Sequence, residues 1–263
     1  MKLWAFIKRG FLIQLSYKLS FMLNILGIFT TIGLFYFMSK AIGSGAKLGN
    51  YSGDYLSFLT IGAVYQGFVM VALNSFNDSI HEEQQIGTLE VLFMSETHLL
   101  KVLLYSSAWS YVEALFATIV TASIAIGLFG MQLHINFLSV LVIFILTALA
   151  FAGLSMISAA FTMVVKKGDP VTWFFGLVAG IMGGAYFPVE VMPSGLRFIS
   201  SLLPNTYALA ALRSAVTTAA SIKDLSSLLI PLTVFAILTP IIGAMFFLRG
   251  FDLARKRGSI SQY

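Results

Sequence analysis

Cysteine is absent from the 263 residues, which excludes disulfides, iron–sulfur clusters and thiolate zinc sites. Histidine is scarce: His81, His98 and His134 stand far apart, so no metal is expected. Charge is scarce as well, with Asp, Glu, Lys and Arg making up 10% of the chain. The 16 basic side chains outnumber the 11 acidic ones, but they sit at the edges of apolar runs and form no stripe. That placement excludes nucleic acid as a partner. No G-x-x-x-x-G-K-[ST] run occurs, so the chain has no phosphate-cradling loop of its own for ATP. G-x-S-x-G and H-E-x-x-H are also missing, and the chain is not expected to be an enzyme by itself.

What the sequence has in quantity is apolar surface. Hydrophobic residues make up 58% and the mean hydropathy is +0.90, leaving too little polar surface to enclose a water-soluble core. A helix rises about 1.5 Å per residue and the hydrocarbon layer is about 30 Å thick, so roughly 20 apolar residues make a span. Six runs qualify: Leu19 to Met38, Tyr55 to Leu73, Val102 to Met131, Phe137 to Val165, Val171 to Phe187 and Leu228 to Leu248. The third and fourth exceed the need, which implies tilt or helix beyond the lipid. The fifth is short and leads into irregular backbone. The expected fold class is therefore all-α integral membrane, a single transmembrane domain over residues 1–263.

Six spans put both termini on one side. Eleven Lys and Arg fall on the side of the termini, among them Lys101 and the Lys166–Lys167 pair, against five on the other: Lys40, Lys47, Arg197, Arg213 and Lys223. The positive-inside rule then puts both termini in the cytoplasm of a multi-pass protein of the cell membrane. Within residues 1–18, Leu3, Trp4, Ile7, Phe11 and Leu15 share one side of a helical wheel, with Lys2 and Arg9 opposite. This describes a helix in the headgroup plane, favoured over a cleaved signal peptide because no A-x-A-like site follows.

Two polar stretches interrupt the spans. The cytoplasmic loop, residues 77–101, is acidic where basic loops are expected; Ser79 and Glu82 fit a capping box, and Leu89, Leu92 and Phe93 recur at helical spacing. It is either an element docked on a soluble partner or a solvated loop helix. The external segment, residues 188–227, is cut by Pro188, Pro193 and Pro204 into pieces too short to cross. It forms either a re-entrant hairpin or a pair of helices on the outer surface.

Inside the runs, Glu113 falls about 18 Å along the third helix from Lys101, near the bilayer middle. It is either a pathway or gating acid or a carboxyl bonded to a neighbouring helix. Gly176, Gly180 and Gly184 line one face of the fifth run and admit close approach, by a second copy or by another helix of the same subunit. Asn24 and Gln66 are expected to be cross-helix hydrogen bonds.

Gly87-Thr88-Leu89-Glu90-Val91-Leu92 after Glu83, Gly184-Ala185-Tyr186-Phe187-Pro188, Leu203-Pro204-Asn205-Thr206-Tyr207-Ala208, Ala211-Leu212-Arg213 and the tail Arg255-Lys256-Arg257-Gly258-Ser259-Ile260 stand in this order among the six spans. In this the whole chain resembles the type-2 ABC exporter permeases, the family of polysaccharide, Nod-factor and daunorubicin-type export subunits. The resemblance implies a dimer of six-helix subunits, with a second copy or a close paralogue, carrying two cytoplasmic ABC ATPase subunits. It also implies an N-terminal interfacial helix, a coupling helix in the first cytoplasmic loop and re-entrant helices before the last span. By it, Glu82, Glu83, Gly87, Thr88, Leu89, Glu90, Leu92 and Phe93 meet the ATPase, while Phe187, Pro188, Glu190 and Tyr207 belong to the gate or pathway. Many relatives carry a Ser-Pro pair after the coupling motif; here Met94-Ser95-Glu96-Thr97 stands instead.

The function expected from that resemblance is a membrane permease subunit that couples ATP hydrolysis on another chain to export. Cofactors on this chain are none, with ATP and Mg held by the partner. The 24 Phe, 11 Met and 10 Tyr are either ordinary lipid-facing surface or an adaptable lining that suits a hydrophobic, lipid-linked or drug-like substrate. Polysaccharide or glycolipid export by the same architecture is the alternative. A secondary transporter using Glu113 is the rival from another class.

Overall fold

A computed structural model of the chain describes Trp4, residues 7–9, 11–12 and 18–42, Tyr51, and residues 54–86, 99–165 and 169–256. The described residues contain no strand; the architecture is all-helical. Five helices carry apolar stretches long enough to cross a membrane: α1 (Lys18–Ile42), α2 (Tyr55–Ile86), α3 (Leu99–Phe129), α4 (Phe137–Val165) and α8 (Ser226–Lys256). Between α4 and α8 lie α5 (Pro170–Met182), a 3-10 turn (Val189–Val191), α6 (Ser194–Ser201) and α7 (Pro204–Thr217). The chain is a multi-pass membrane protein. The fifth run is the short one, as its length predicts: the 13 residues of α5 reach only about 20 Å.

The second helix overruns its apolar run. After Leu73 the sequence turns more polar, yet α2 continues unbroken to Ile86: Ser75, Asn77 and the Phe76 N–H bond to neighbouring helices, and Asn74 and Ser79 bond back to α2's own carbonyls. The expected capping box at Ser79 is therefore overturned: Ser79 Oγ donates back to Ser75 O at 2.7 Å, in the interior of a helix. Consequently the loop expected over residues 77–101 is helical at both described ends, up to Ile86 and from Leu99. Residues 87–98 lie outside the described residues.

Within lipid the hydrophobic effect does little to press helices together, so close packing and cross-helix hydrogen bonds must do it. The tightest contact joins α4 and α8, which run parallel. A Cβ on Gly153 would sit 2.1 Å from the Thr239 carbonyl carbon, one on Gly243 would sit 2.2 Å from Gly153 O, and one on Gly250 would sit 2.9 Å from Ala160 Cβ. The residues pair at intervals of seven, Gly153 with Gly243 and Ala160 with Gly250. Pro240 lies inside α8, and next to it Thr239 Oγ1 crosses to Ala150 O at 2.6 Å.

The core lies around α2, where Tyr65, Phe68 and Leu73 meet Phe144 and Phe151 of α4, Leu209 and Leu212 of α7, and Leu232 of α8. By contrast, α1 and α3 turn most of their apolar side chains outward, among them Leu19, Phe37, Phe116 and Ile119. The bundle thus has a Tyr55 end, which also holds the α3–α4 loop and the start of α8, and an Ile86 end.

Candidate functional site

The segment from α5 to α7 builds the Tyr55 end. Asp169 starts α5 by accepting the Thr172 N–H, with Pro170 in the first turn. The helix runs antiparallel to α2, with Gly176 against Met70 Sδ and Gly180 beside Gln66, whose Nε2 donates to Gly176 O at 3.1 Å. Gly176 and Gly180 therefore serve packing within one subunit. Gly184 lies beyond the helix with φ 82°, a left-handed turn that favours glycine. The stripe expected from the sequence is thus two packing glycines and one turning glycine.

After that turn the chain doubles back. Ser200 Oγ at the end of α6 donates to Met182 O at 2.7 Å, and Asn205 Nδ2 at the start of α7 donates to Ala179 O at 2.7 Å. The tip of the α6–α7 hairpin therefore sits against the last turn of α5. That turn is level with Gln66, about 16 Å along α2 from its first residue. Thr206 Oγ1 to Ser200 O at 2.6 Å and Tyr207 OH to Ser201 O at 2.7 Å close the tip. From there α7 returns to the Tyr55 end, where the His134 and Asn136 N–H groups bond Val216 O and Ala215 O, each at 2.9 Å.

Arg213 of α7 is buried at 9% exposure. Its Nη2 donates to Phe58 O and to Ala185 O, each at 3.2 Å, and the guanidinium carbon lies 3.5 Å from the centre of the Phe58 ring. One side chain thus ties the first turn of α2, the turn after α5, and α7. The approach is close because position 62 is glycine: a Cβ there would fall 2.1 Å from Ala185 O. Tyr51 lies beside the cation, 5.9 Å from ring centre to guanidinium, and its OH bonds Ser57 Oγ at 2.9 Å. Burial pushes the Tyr51 phenol up; the Ser57 bond and the Arg213 charge oppose this.

Of the other residues expected in the gate or pathway, Pro188 is buried, while Phe187 and Glu190 are exposed. Glu190 contributes its carbonyl, which accepts from Arg197 Nη2 at 3.2 Å and ties the 3-10 turn to α6. The ring of Tyr207 lies 6.3 Å from that of Phe235. Arg213 is the residue that site reasoning from sequence missed. A lone basic residue among alanines read as a loop cation, and only its place in the Ala211-Leu212-Arg213 motif marked it.

Glu113 stands apart from this cluster, half-buried on α3. The apolar stretch of α3 begins at Ser107, which puts Glu113 about 9 Å along it. It lies on the Ile86 side of the middle. One turn earlier, Trp109 meets Phe11 edge to face at 6.0 Å. The described residues among the first eighteen, Trp4, 7–9, 11, 12 and 18, are helical. Asn24 is exposed on α1.

Two apolar cavities flank α2. One of about 390 Å³ lies between α1, α2 and α3, lined by Ile32, Phe35, Phe68 and Ala117 among others. Another of about 420 Å³ lies between α2, α3, α4 and α7, against Ile119, Phe144, Leu212 and Val216. Thr60, Val64 and Thr118 line both. At the opposite end, Glu82 and Glu83 fall in the last turns of α2, while Gly87, Thr88, Leu89, Glu90, Leu92 and Phe93 lie outside the described residues. No group of three or more metal-ligating side chains occurs among the described residues.

Residues 1–217 match the family described as ABC-2 type transporter. The chain is also similar to Nodulation protein J of Neorhizobium galegae, at 28% identity over 199 residues, 70% of each chain.

Proposed function

The chain belongs to the ABC-2 type transporter family, and from that premise we propose that it is the permease subunit of an ATP-driven exporter whose ATPase is a separate chain. A membrane transport subunit of this family works in general with an ABC ATPase, and that match over most of the chain carries the reading. The ATPase supplies ATP and Mg; residues 82–93 receive its motion at the end of α2. The helix supports this by continuing from the buried bundle through Glu82 and Glu83. With both termini and this end in the cytoplasm of the cell membrane, the α6–α7 hairpin enters from outside and closes the pathway there, held by Arg213.

The cargo is hydrophobic, lipid-linked or drug-like, which the two apolar cavities support. A second copy or a close paralogue completes the transporter across α5, where Trp173, Leu177 and Ile181 are exposed. A gradient-driven route through Glu113 has less support, since Glu113 lies far along the bundle from the Arg213 cluster.

The test is to co-express the chain with a candidate ABC ATPase and measure ATP hydrolysis in proteoliposomes. The two chains should purify together, and Leu89→Asp or Glu90→Ala should dissociate them or uncouple hydrolysis. An intact permease that binds no ATPase, and that moves a dye on a proton gradient in a Glu113-dependent way, would overturn the reading.

A further inference from the structure

One turn of α2 bonds to three helices, α3, α4 and α5, near its Ile86 end. Tyr111 OH of α3 donates to Ser75 Oγ at 3.1 Å, since that hydroxyl spends its own proton on Ala72 O. The Phe76 backbone N–H donates to Ser155 Oγ of α4 at 3.0 Å. Asn77 Nδ2 donates to Asp169 Oδ2 at 2.9 Å, on the residue that caps α5. The other oxygen of Asp169 takes Ser158 Oγ of α4 at 2.5 Å and the Thr172 N–H at 3.0 Å, and Thr172 Oγ1 donates to Ser158 Oγ at 3.1 Å. Ser75, Asn77, Ser155, Ser158 and Thr172 are all buried at 4% exposure or less.

We propose that this collar, residues 75–77, is the positioning element that passes displacement of the Ile86 end of α2 to the rest of the bundle, and that Asn77–Asp169 addresses α5 in particular. Three facts combine here. The collar lies just before the end of α2's apolar stretch, which closes at His81, so it grips the helix where the bundle stops and the extension begins. At this turn Ser155 Oγ accepts the Phe76 N–H, and the Ser75 and Ser79 hydroxyls donate to the Ala72 and Ser75 carbonyls, insertions into the helix ladder of the kind that give a helix a local pivot. Finally, α5 is anchored at one end by Asp169 and at the other by Asn205 and Ser200, so motion at its cap reaches the α6–α7 hairpin. Ordinary cross-helix glue would stabilise the bundle without carrying motion, and the two roles separate experimentally.

The inference rests on the ATP-coupled reading above. The chain's lack of cysteine makes a single reporter clean. Gly195 of α6 is exposed and a Cβ there meets nothing within 4 Å, so Gly195→Cys reports on the hairpin through its rate of reaction with a membrane-impermeant maleimide. In the complex with its ATPase, Mg-ATP should change that rate about fivefold or more. Asn77→Asp sets two carboxylates against each other and should reduce the change below about twofold while ATP is still hydrolysed. Adding Asp169→Asn to Asn77→Asp restores one donor and one acceptor, keeps a good helix cap and should recover the response. Asp169→Asn alone retains the bond and should respond as the parent does. If Asn77→Asp responds fully, or the double variant folds and assembles but stays silent, the collar carries no motion. A parent complex that hydrolyses ATP while the reporter stays unchanged overturns the inference alone; one that neither binds the ATPase nor hydrolyses ATP overturns the ATP-coupled reading as well.

Discussion

Arg213 meets two main-chain carbonyls and an aromatic face, with no hydrogen-bonded carboxylate among the described residues. That choice of partners makes it dependent on geometry. A carbonyl left buried without a donor costs about 1–3 kcal/mol, and a cation–π contact adds about 1 kcal/mol when exposed and about 2 or more when desolvated. Arg213→Met should therefore destabilise the Tyr55 end by about 2–4 kcal/mol, read as a lower unfolding midpoint in detergent and faster labelling of a cysteine at position 195. Arg213→Lys should recover little, because a single ammonium has no planar fork to reach Phe58 O and Ala185 O while lying flat on the Phe58 ring. An unchanged midpoint in both variants would show that the three segments are held by something else. Sequence reasoning could see Arg213 only as a charge in a motif, since its acceptors come from Phe58 and Ala185, remote in the chain and named by no side-chain chemistry. Asn77 was hidden for a related reason: polarity after an apolar run reads as the end of a helix, whereas here it faces other helices.

At the scale of elements, apolar length was the legible quantity. The fourth run, bounded by Asn136 and Lys166, coincides with α4 because the transition from polar to apolar is abrupt at both ends. The seam between α4 and α8 was not legible. Gly153 and Gly243 look like isolated helix glycines in their own helices, and their significance comes from the Ala160–Gly250 pair one heptad on, across the two elements. On α5 the visible glycine spacing ended in one turning residue. Gly243→Ala should push backbone from backbone and cost about 1–3 kcal/mol of stability, measured by thermal unfolding of the detergent-purified chain. Gly127→Ala is the matched control, because a Cβ there meets nothing within 4 Å; helix propensity makes it neutral or stabilising by up to about 1 kcal/mol. Equal effects at the two positions would mean that α4 and α8 do not depend on their close approach.

For the whole molecule, the decisive unknown is orientation, because the ATPase must reach the Ile86 end. The charge asymmetry is larger than the raw count of eleven against five suggests. One of the five, Arg213, is buried and donates to carbonyls inside the fold and so contributes little as a loop charge to the bias that sets topology. Removing it leaves Lys40, Lys47, Arg197 and Lys223 to oppose the eleven. Lys101, at the start of α3, and Lys223, in the turn before α8, are both exposed and mark opposite ends. In a chain without native cysteine, Lys223→Cys should react with an impermeant maleimide on intact cells, and Lys101→Cys only after permeabilisation. The reverse pattern would put the end of α2 outside, where no ATPase could meet it, and would exclude ATP coupling through residues 82–93 whatever the family.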